Sequence, residues 1–278
     1  MEIGFQKIGL AFNFTPTSKD LLQEALRIQK LFSSRLYLIH IGKDDENYNK
    51  MLNDVLKEMK LKENDYELIW SDGDPATEII KTCSEQEIEL LLAGALEKEN
   101  IIKFYIGSVA RKLMKYSPCS ILIYKIPIII KPFRKIFVSI DYSPLGEKAM
   151  QIAYQLAIKE GNPSLDVVRE FYIPGLTATL QDSCDVGQFE NMIEKATKEE
   201  EEKTRVFLNE LNLQNINIDI HCIYGKEKRA ERNFVDENSP DLYIIPSKIK
   251  KPTLWERFLP METEHIFEDL PSNILIVR

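Results

Sequence analysis

The nine residues Phe5–Asn13 (FQKIGLAFN) return as Phe133–Asp141 (FRKIFVSID), 128 residues later, and each copy runs through a Thr/Ser-Pro turn into a helical pattern. Near the other end of each copy, Ser117–Tyr124 (SPCSILIY) is echoed by Leu270–Val277 (LPSNILIV) at an offset of 153 residues. A repeat of this length means one unit built twice, the second copy longer, mostly around its second crossover.

Within each copy, short β-branched apolar runs alternate with helical patterns, the signature of βαβ units around a parallel sheet covered on both faces. The first copy gives strands at Lys7–Asn13, Arg35–Ile41, Tyr66–Ser71, Leu90–Gly94 and Ser120–Tyr124. The second gives Lys135–Asp141, Leu165–Tyr172, Ile216–Tyr224, Asp241–Pro246 and Asn273–Val277. Asp20–Phe32, Lys148–Ile158 and Gln188–Leu211 place apolar residues at helical spacing, the last with KATKEEEEK as its solvated face. The fold class is therefore α/β, two tandem doubly wound parallel five-stranded sheets. Ile126–Lys131, bracketed by Pro127 and Pro132, reads as an extended linker, since proline cannot donate to a sheet ladder. The cut near Lys131 predicts domains 1–131 and 132–278, in keeping with 278 residues at roughly 100–200 per domain.

Net charge is −8, of which −1 falls up to Lys131 and −7 beyond it, so no broad phosphate-neutralising surface exists and nucleic acid is not an expected partner. Ser120–Phe133 is the longest apolar stretch, too short and too broken by Lys125 and Lys131 to cross a bilayer, so no membrane span is expected. Met1–Leu10 shows no targeting pattern, which predicts a cytoplasmic protein. Cys83, Cys119, Cys184 and Cys222 contain no CxxC and read as buried thiols.

Asp72–Ile79 (DGDPATEI), Leu90–Gly94 (LLLAG) and Gly107–Ile123 (GSVARKLMKYSPCSILI) follow one another in an order that strongly resembles the universal stress protein family in tandem two-domain form. The likeness spans essentially the whole chain and is sharpest over residues 66–125. It implies a Rossmann-like sheet ordered 3-2-1-4-5 in each copy and a stress-response or regulatory role. It also implies sheets whose fifth strands, Ile121–Tyr124 and Ile274–Val277, pair about a pseudo-twofold axis within one chain, because such apolar edges are not left open. Association of whole chains into a homo-oligomer, such as a dimer, is a further expectation.

In a sheet of that order, ligands bind beyond the carboxyl ends of the strands where the winding reverses, between strands one and four. That crevice is lined by Asn13 to Thr15 and by Gly94 onward. Gly107 and Ser108 open the next helix, whose orphan N–H groups and dipole favour an anion. The ATP-binding branch of the family has a loop like G-x2-G-x9-G-[ST]; here its positions are Gly94, Glu97, Gly107 and Ser108, with the spacing kept and the middle glycine lost to a carboxylate. A phosphate charge about 6 Å from Glu97 is repelled by roughly 3 kcal/mol at an effective dielectric of about 20. Glu97→Gly is therefore expected to tighten nucleotide binding. Asn13 stands where the family has aspartate, offering one acceptor oxygen instead of two. The cofactor reading is ATP or another adenine nucleotide, held at Asn13, Thr15, Gly94, Glu97, Gly107 and Ser108.

In the second copy Asp141 keeps the acid, but the 153 offset sets Ser247, Lys250, Pro260 and Met261 against the loop positions, with no glycine. Its crevice is expected to hold no nucleotide. His40, His221 and His265 lack metal-ligand spacing and read as structural, so no metal is expected. Thr177–Gly187 reads as irregular, and Trp255 as packing a loop onto the body. GxSxG and GxxxxGK[ST] are absent, and no catalytic residue is assigned. The chain is read as a non-enzymatic nucleotide-binding regulator; the alternative is a nucleotide-free interaction scaffold with both crevices vestigial.

Overall fold

The computed structural model describes residues 4–13, 17–43, 46–62, 64–95, 107–125, 128–162, 164–173, 186–225, 229–248, 270 and 272–278. Its elements run β1 Lys7–Ala11, α1 Ser18–Phe32, β2 Arg35–Ile41, α2 Glu46–Glu58, β3 Glu67–Ser71, α3 Pro75–Glu85, β4 Leu90–Gly94, α4 Ser108–Tyr116 and β5 Ser120–Tyr124. They continue as β6 Ile136–Ser139, α5 Pro144–Lys159, β7 Ser164–Phe171, α6 Val186–Glu210, β8 Asn217–Tyr224, α7 Arg229–Asn238, β9 Leu242–Pro246 and β10 Asn273–Val277. The expected strands thus appear within one or two residues of their sequence bounds. Val186 and Gly187 belong to α6 rather than to an irregular stretch, and Ile128–Lys131 carry neither helix nor strand.

All ten strands form one sheet, ordered β3-β2-β1-β4-β5-β10-β9-β6-β7-β8. Each set of five is parallel and keeps the 3-2-1-4-5 order. The two sets meet at an antiparallel seam, with Ile123 opposite Ile274, Leu122 opposite Leu275 and Ile121 opposite Ile276. Apolar fifth strands that would otherwise be open edges thus complete each other's ladders.

Because β-strand side chains alternate between faces, the sheet carries two cores. One face holds Ile8, Leu10, Leu36, Leu38, Leu92 and Leu122 under apolar residues of α1, α2, α5 and α6. The other holds Ile39, Leu91, Ala93, Ile121, Phe137 and Tyr243 under α3, α4 and α7. The second face positions the candidate site.

The register also corrects the sequence alignment of the copies. Ile8 pairs with Leu90 in the first half and Ile136 with Leu242 in the second, so Gly94 corresponds to Pro246 rather than to Ser247. The extra residue of the 153 offset therefore lies between β9 and β10.

The chain entering β6 is held by Asp241. Its carboxylate accepts from the backbone N–H groups of Arg134 (2.9 Å) and Lys135 (3.0 Å) and pairs with Lys131 (2.6 Å). Burial pulls the Asp241 pKa upward, but Lys131 and the two N–H donors outweigh it and hold the group below the ordinary carboxylate value. With a depressed folded-state pKa, the stabilisation is present above the unfolded value of about 3.9 and is lost as pH falls through the lower folded value. Asp241→Asn is expected to cost about 1–2 kcal/mol at neutral pH and to flatten the acid limb of stability against pH. Urea unfolding of both proteins from about pH 5 to 3 checks this, and identical acid limbs would contradict it.

Candidate functional site

Beyond the carboxyl ends of β1, β2 and β4 the second face opens into a cleft of about 200 Å³. Its walls are Ala11–Asn13 from the end of β1, Ile39 and Ile41 from β2, and Ala93–Ala95 from β4. Pro75 and Ile79 of α3 and Val109, Ala110 and Leu113 of α4 close the sides, with Thr17 and Leu21 at the entry to α1. β1 hydrogen-bonds to β2 on one side and β4 on the other, and the connections leave toward opposite faces. The strands therefore splay apart at their ends and leave the crevice.

The residues that aim the helices follow from local chemistry. Asp74 caps α3, accepting from Thr77 N–H at 3.1 Å and Thr77 Oγ1 at 2.7 Å, with Pro75 in the first turn, where a missing N–H costs nothing. Thr77, ahead of burial acting the other way and with Lys112 adding to it, lowers the Asp74 pKa. Gly73 turns the chain at φ +140°, a conformation that only glycine adopts freely. Lys112 of α4 reaches the same carboxylate at 3.5 Å, bracing the two helices that flank the cleft.

At the N-terminus of α4 the cap is Gly107, which has no side chain to offer, and no acid lies in the first turn. The first-turn N–H groups thus keep their capacity for an outside acceptor, and the helix dipole adds positive potential there. Ser108 is exposed beside them. On the opposite rim Asn13 is exposed, with its Oδ1 3.3 Å from the Ser18 hydroxyl. The arrangement offers an apolar slot between a rim amide and an anion-favouring helix end. Its volume falls below the roughly 300 Å³ at which whole-ligand pockets begin, so it takes a ring-sized group and leaves polar parts at the mouth.

Of the residues expected from sequence, Asn13 and Gly94 line this cleft, while Gly107 and Ser108 begin the helix that forms its side. Thr15 and Glu97 lie outside the described residues, as do Lys250, Trp255, Pro260, Met261 and His265. The apolar walls were not singled out in the sequence, where Ile39, Ile41, Ile79 and Leu113 look like any core residue. Pro75, directly after a capping aspartate, was the available signal for a helix start aimed at the site.

The same position in the second half is built differently. Asp141 is exposed, and its carboxylate accepts from the Ser143 N–H at 3.2 Å and the Ser143 hydroxyl at 2.6 Å. A Cβ on Gly146 would stand 2.6 Å from that carboxylate oxygen. By register Ile41 corresponds to Glu170, whose buried carboxylate accepts the Glu231 N–H of α7 at 2.8 Å. Leu91 corresponds to Tyr243, whose hydroxyl bonds the buried Glu231 carboxylate. Acids thus occupy the place that in the first half is apolar and faces an open helix end. Both described histidines have acceptors: Nδ1 of His40 is 3.1 Å from the Phe12 carbonyl, and Nε2 of His221 is 2.7 Å from Asp166. Among the described residues no group of three or more His, Cys, Asp or Glu could hold a metal, and no helix is long and apolar enough to cross a membrane.

Residues 43–125, which carry β3, β4, β5 and both helices flanking the cleft, match the universal stress protein family. Over those residues the chain is similar to that family. A universal stress protein of Methanothermobacter thermautotrophicus is 33% identical over 76 residues, a match spanning 26% of this chain and about half, 51%, of the relative. Universal stress protein YxiE of Bacillus subtilis is 24% identical over 44% of this chain and 99% of its own length. A solved universal stress protein from Archaeoglobus fulgidus overlays at a TM-score of 0.66, with 16% identity and 98% of both chains covered. The functionally unknown protein PA1789 from Pseudomonas aeruginosa overlays at 0.70, with 16% identity, covering 98% of this chain and 92% of that one. Both overlays are likenesses of fold, and they extend across all ten strands of this chain.

Proposed function

We propose that this chain is a universal stress protein of two domains, 1–131 and 132–278, a non-enzymatic regulator whose first domain binds an adenine nucleotide at the β1/β4 cleft. The observation that carries the reading is the conjunction of an apolar slot with an α4 N-terminus that has a glycine cap and no acid in its first turn. A purine ring fits the slot chemically, and a phosphate suits the helix end. The described residues around the slot supply Asn13, Thr17 and backbone, a set suited to holding a ligand rather than to activating a nucleophile.

Ser108→Asp tests this without harming the scaffold. An acid in the first turn of a helix is neutral or stabilising for the helix itself. The same charge about 6 Å from a phosphate repels it by roughly 3 kcal/mol at an effective dielectric of about 20, before salt screening. The variant is expected to keep its Tm while binding ATP at least about tenfold more weakly by isothermal titration, with adenosine affected far less. Equal ATP affinity in parent and variant would refute the placement. An absence of ATP binding by the parent itself would leave the interaction scaffold as the better reading.

A further inference from the structure

The longest apolar stretch of the sequence, Ser120–Phe133, is only partly used by β5. Beyond the strand lies a short tip held at both ends. Ile128 and Phe133 are buried in the core of the first face, while Ile129, Ile130, Lys131 and Pro132 between them are all exposed. Ile129 is 65% exposed, more than any other large apolar side chain among the described residues, and Ile130 is 44% exposed. Exposed apolar residues scattered singly are normal on a protein surface, and the others among the described residues are not adjacent in sequence. Ile129 and Ile130 stand side by side on a segment with neither helix nor strand, fixed in place by its buried neighbours.

Around this tip the chain reverses the sign of the protein. Residues 100–140 hold eight basic residues and no acidic one, in a chain whose net charge is −8. Four of the eight, Lys125, Lys131, Arg134 and Lys135, lie in the tip or within four residues of it. The Arg134 guanidinium donates to the backbone carbonyls of Glu160 at 3.3 Å and Gly161 at 3.2 Å, and the Lys135 ammonium to that of Asn238 at 2.5 Å. Carbonyls orient these groups without cancelling their charge, whereas Asp241 offsets that of Lys131. Acids elsewhere on the molecule are screened beyond a Debye length of about 10 Å at 0.1 M salt, so the local sign decides what approaches the tip.

We propose that the 129–132 tip docks the protein peripherally on an anionic lipid surface, with Ile129 and Ile130 entering the boundary between headgroups and acyl chains and the neighbouring basic residues facing the lipid phosphates. Charge and shape together select this occupant. A second copy seated on the same patch about a twofold axis would set Arg134 and Lys135 against like charges. A nucleic acid would meet isoleucines where its bases call for aromatic stacking. A bilayer interface takes aliphatic side chains and basic groups at adjacent depths, and the long Lys and Arg stems span the two. Because the tip is anchored on both sides by core residues, it has little conformational freedom left to lose on docking. The inference stands apart from the nucleotide reading and does not depend on it.

The test floats the intact chain with vesicles of pure phosphatidylcholine and with vesicles containing about 40% phosphatidylglycerol, at about 0.05 and 0.5 M NaCl. The expected result is binding to the anionic vesicles alone, weakened at least about tenfold by the higher salt. Ile129→Ser combined with Ile130→Ser is expected to weaken that binding at least about tenfold with an unchanged unfolding midpoint, since both side chains already face solvent. Leu68→Ser, which removes an exposed apolar side chain from β3, is expected to bind as the parent does. No flotation with anionic vesicles, equal flotation with neutral ones, or a double variant that binds like the parent would overturn the proposal. So would a parent dimer in analytical ultracentrifugation that the double variant loses, which assigns the patch to a second copy. Single-stranded DNA bound more tightly than the anionic vesicles, and lost in the double variant, would assign it to nucleic acid instead. The lipid and salt comparisons on the parent decide by themselves if the variant does not fold.

Discussion

Replacing Arg27 by alanine is expected to destabilise the protein by about 3–5 kcal/mol, the cost of leaving buried carboxylates without their cation. Arg27 on α1 meets Glu24 through its Nε at 3.1 Å and one terminal nitrogen at 2.8 Å, while its other terminal nitrogen pairs with Glu160 at the end of α5. The side chains of Glu24 and Glu160 are 0% and 4% exposed, so water cannot take the place of the guanidinium. The same guanidinium lies 4.7 Å from the centre of the Phe133 ring, adding a cation–π contact. One residue therefore fastens a helix of the first half to a helix and the entering chain of the second. At roughly 2–4 °C per kcal/mol for a protein of this size, the midpoint should fall by about 6–20 °C. Combining Arg27→Ala with Glu24→Gln and Glu160→Gln should recover much of the loss, because the uncompensated charges are then gone. A loss below about 1 kcal/mol for Arg27→Ala would show that the triad behaves as a surface ion pair.

A larger effect is expected from Ile276→Asp. Ile276 and its seam partner Ile121 are each 0% exposed, at the centre of a sheet ten strands wide. A carboxylate placed there is stripped of water within a packed apolar seam, a cost of at least about 4 kcal/mol. Ile276→Val, which only removes a methylene, should cost about 1 kcal/mol. Leu68→Asp makes the informative contrast. It lies on β3, an outer strand of the sheet, and is already 39% exposed, so the same acid should cost little there. Urea midpoints read the ranking, and size-exclusion chromatography reads whether the seam variant associates through its opened strands. Equal losses for Ile276→Asp and Leu68→Asp would contradict the central place given to the seam.

How much of this was legible in advance depended on the range of the interaction. Strand and helix identities came through because each is written locally, as in the β-branched run Ile121–Tyr124 or the Leu21, Leu22, Ala25, Ile28 stripe of α1. The position of the cleft came through as well, since Gly94 at a strand end and Gly107 at a helix start mark where backbone is bare. Its apolar walls did not. Ile39, Ile41, Ile79 and Leu113 come from four elements, and their shared surface exists only after those elements pack.

By itself, then, the sequence determined the duplicated α/β plan and the pairing preference of two apolar fifth strands. Tertiary structure alone decided the one-residue shift that sets Pro246 against Gly94, because register is a property of neighbouring strands and not of either strand alone. It alone brought Arg27 to Glu160, 133 residues away. It also turned Glu170 and Glu231 of the second half into an acidic cap where the first half keeps an open slot. The physical reason is common to all of these. Hydrophobic period and backbone propensity act over a few residues and survive in any context, whereas ion pairs and cleft walls need distant segments held to within an ångström or two by a packed core.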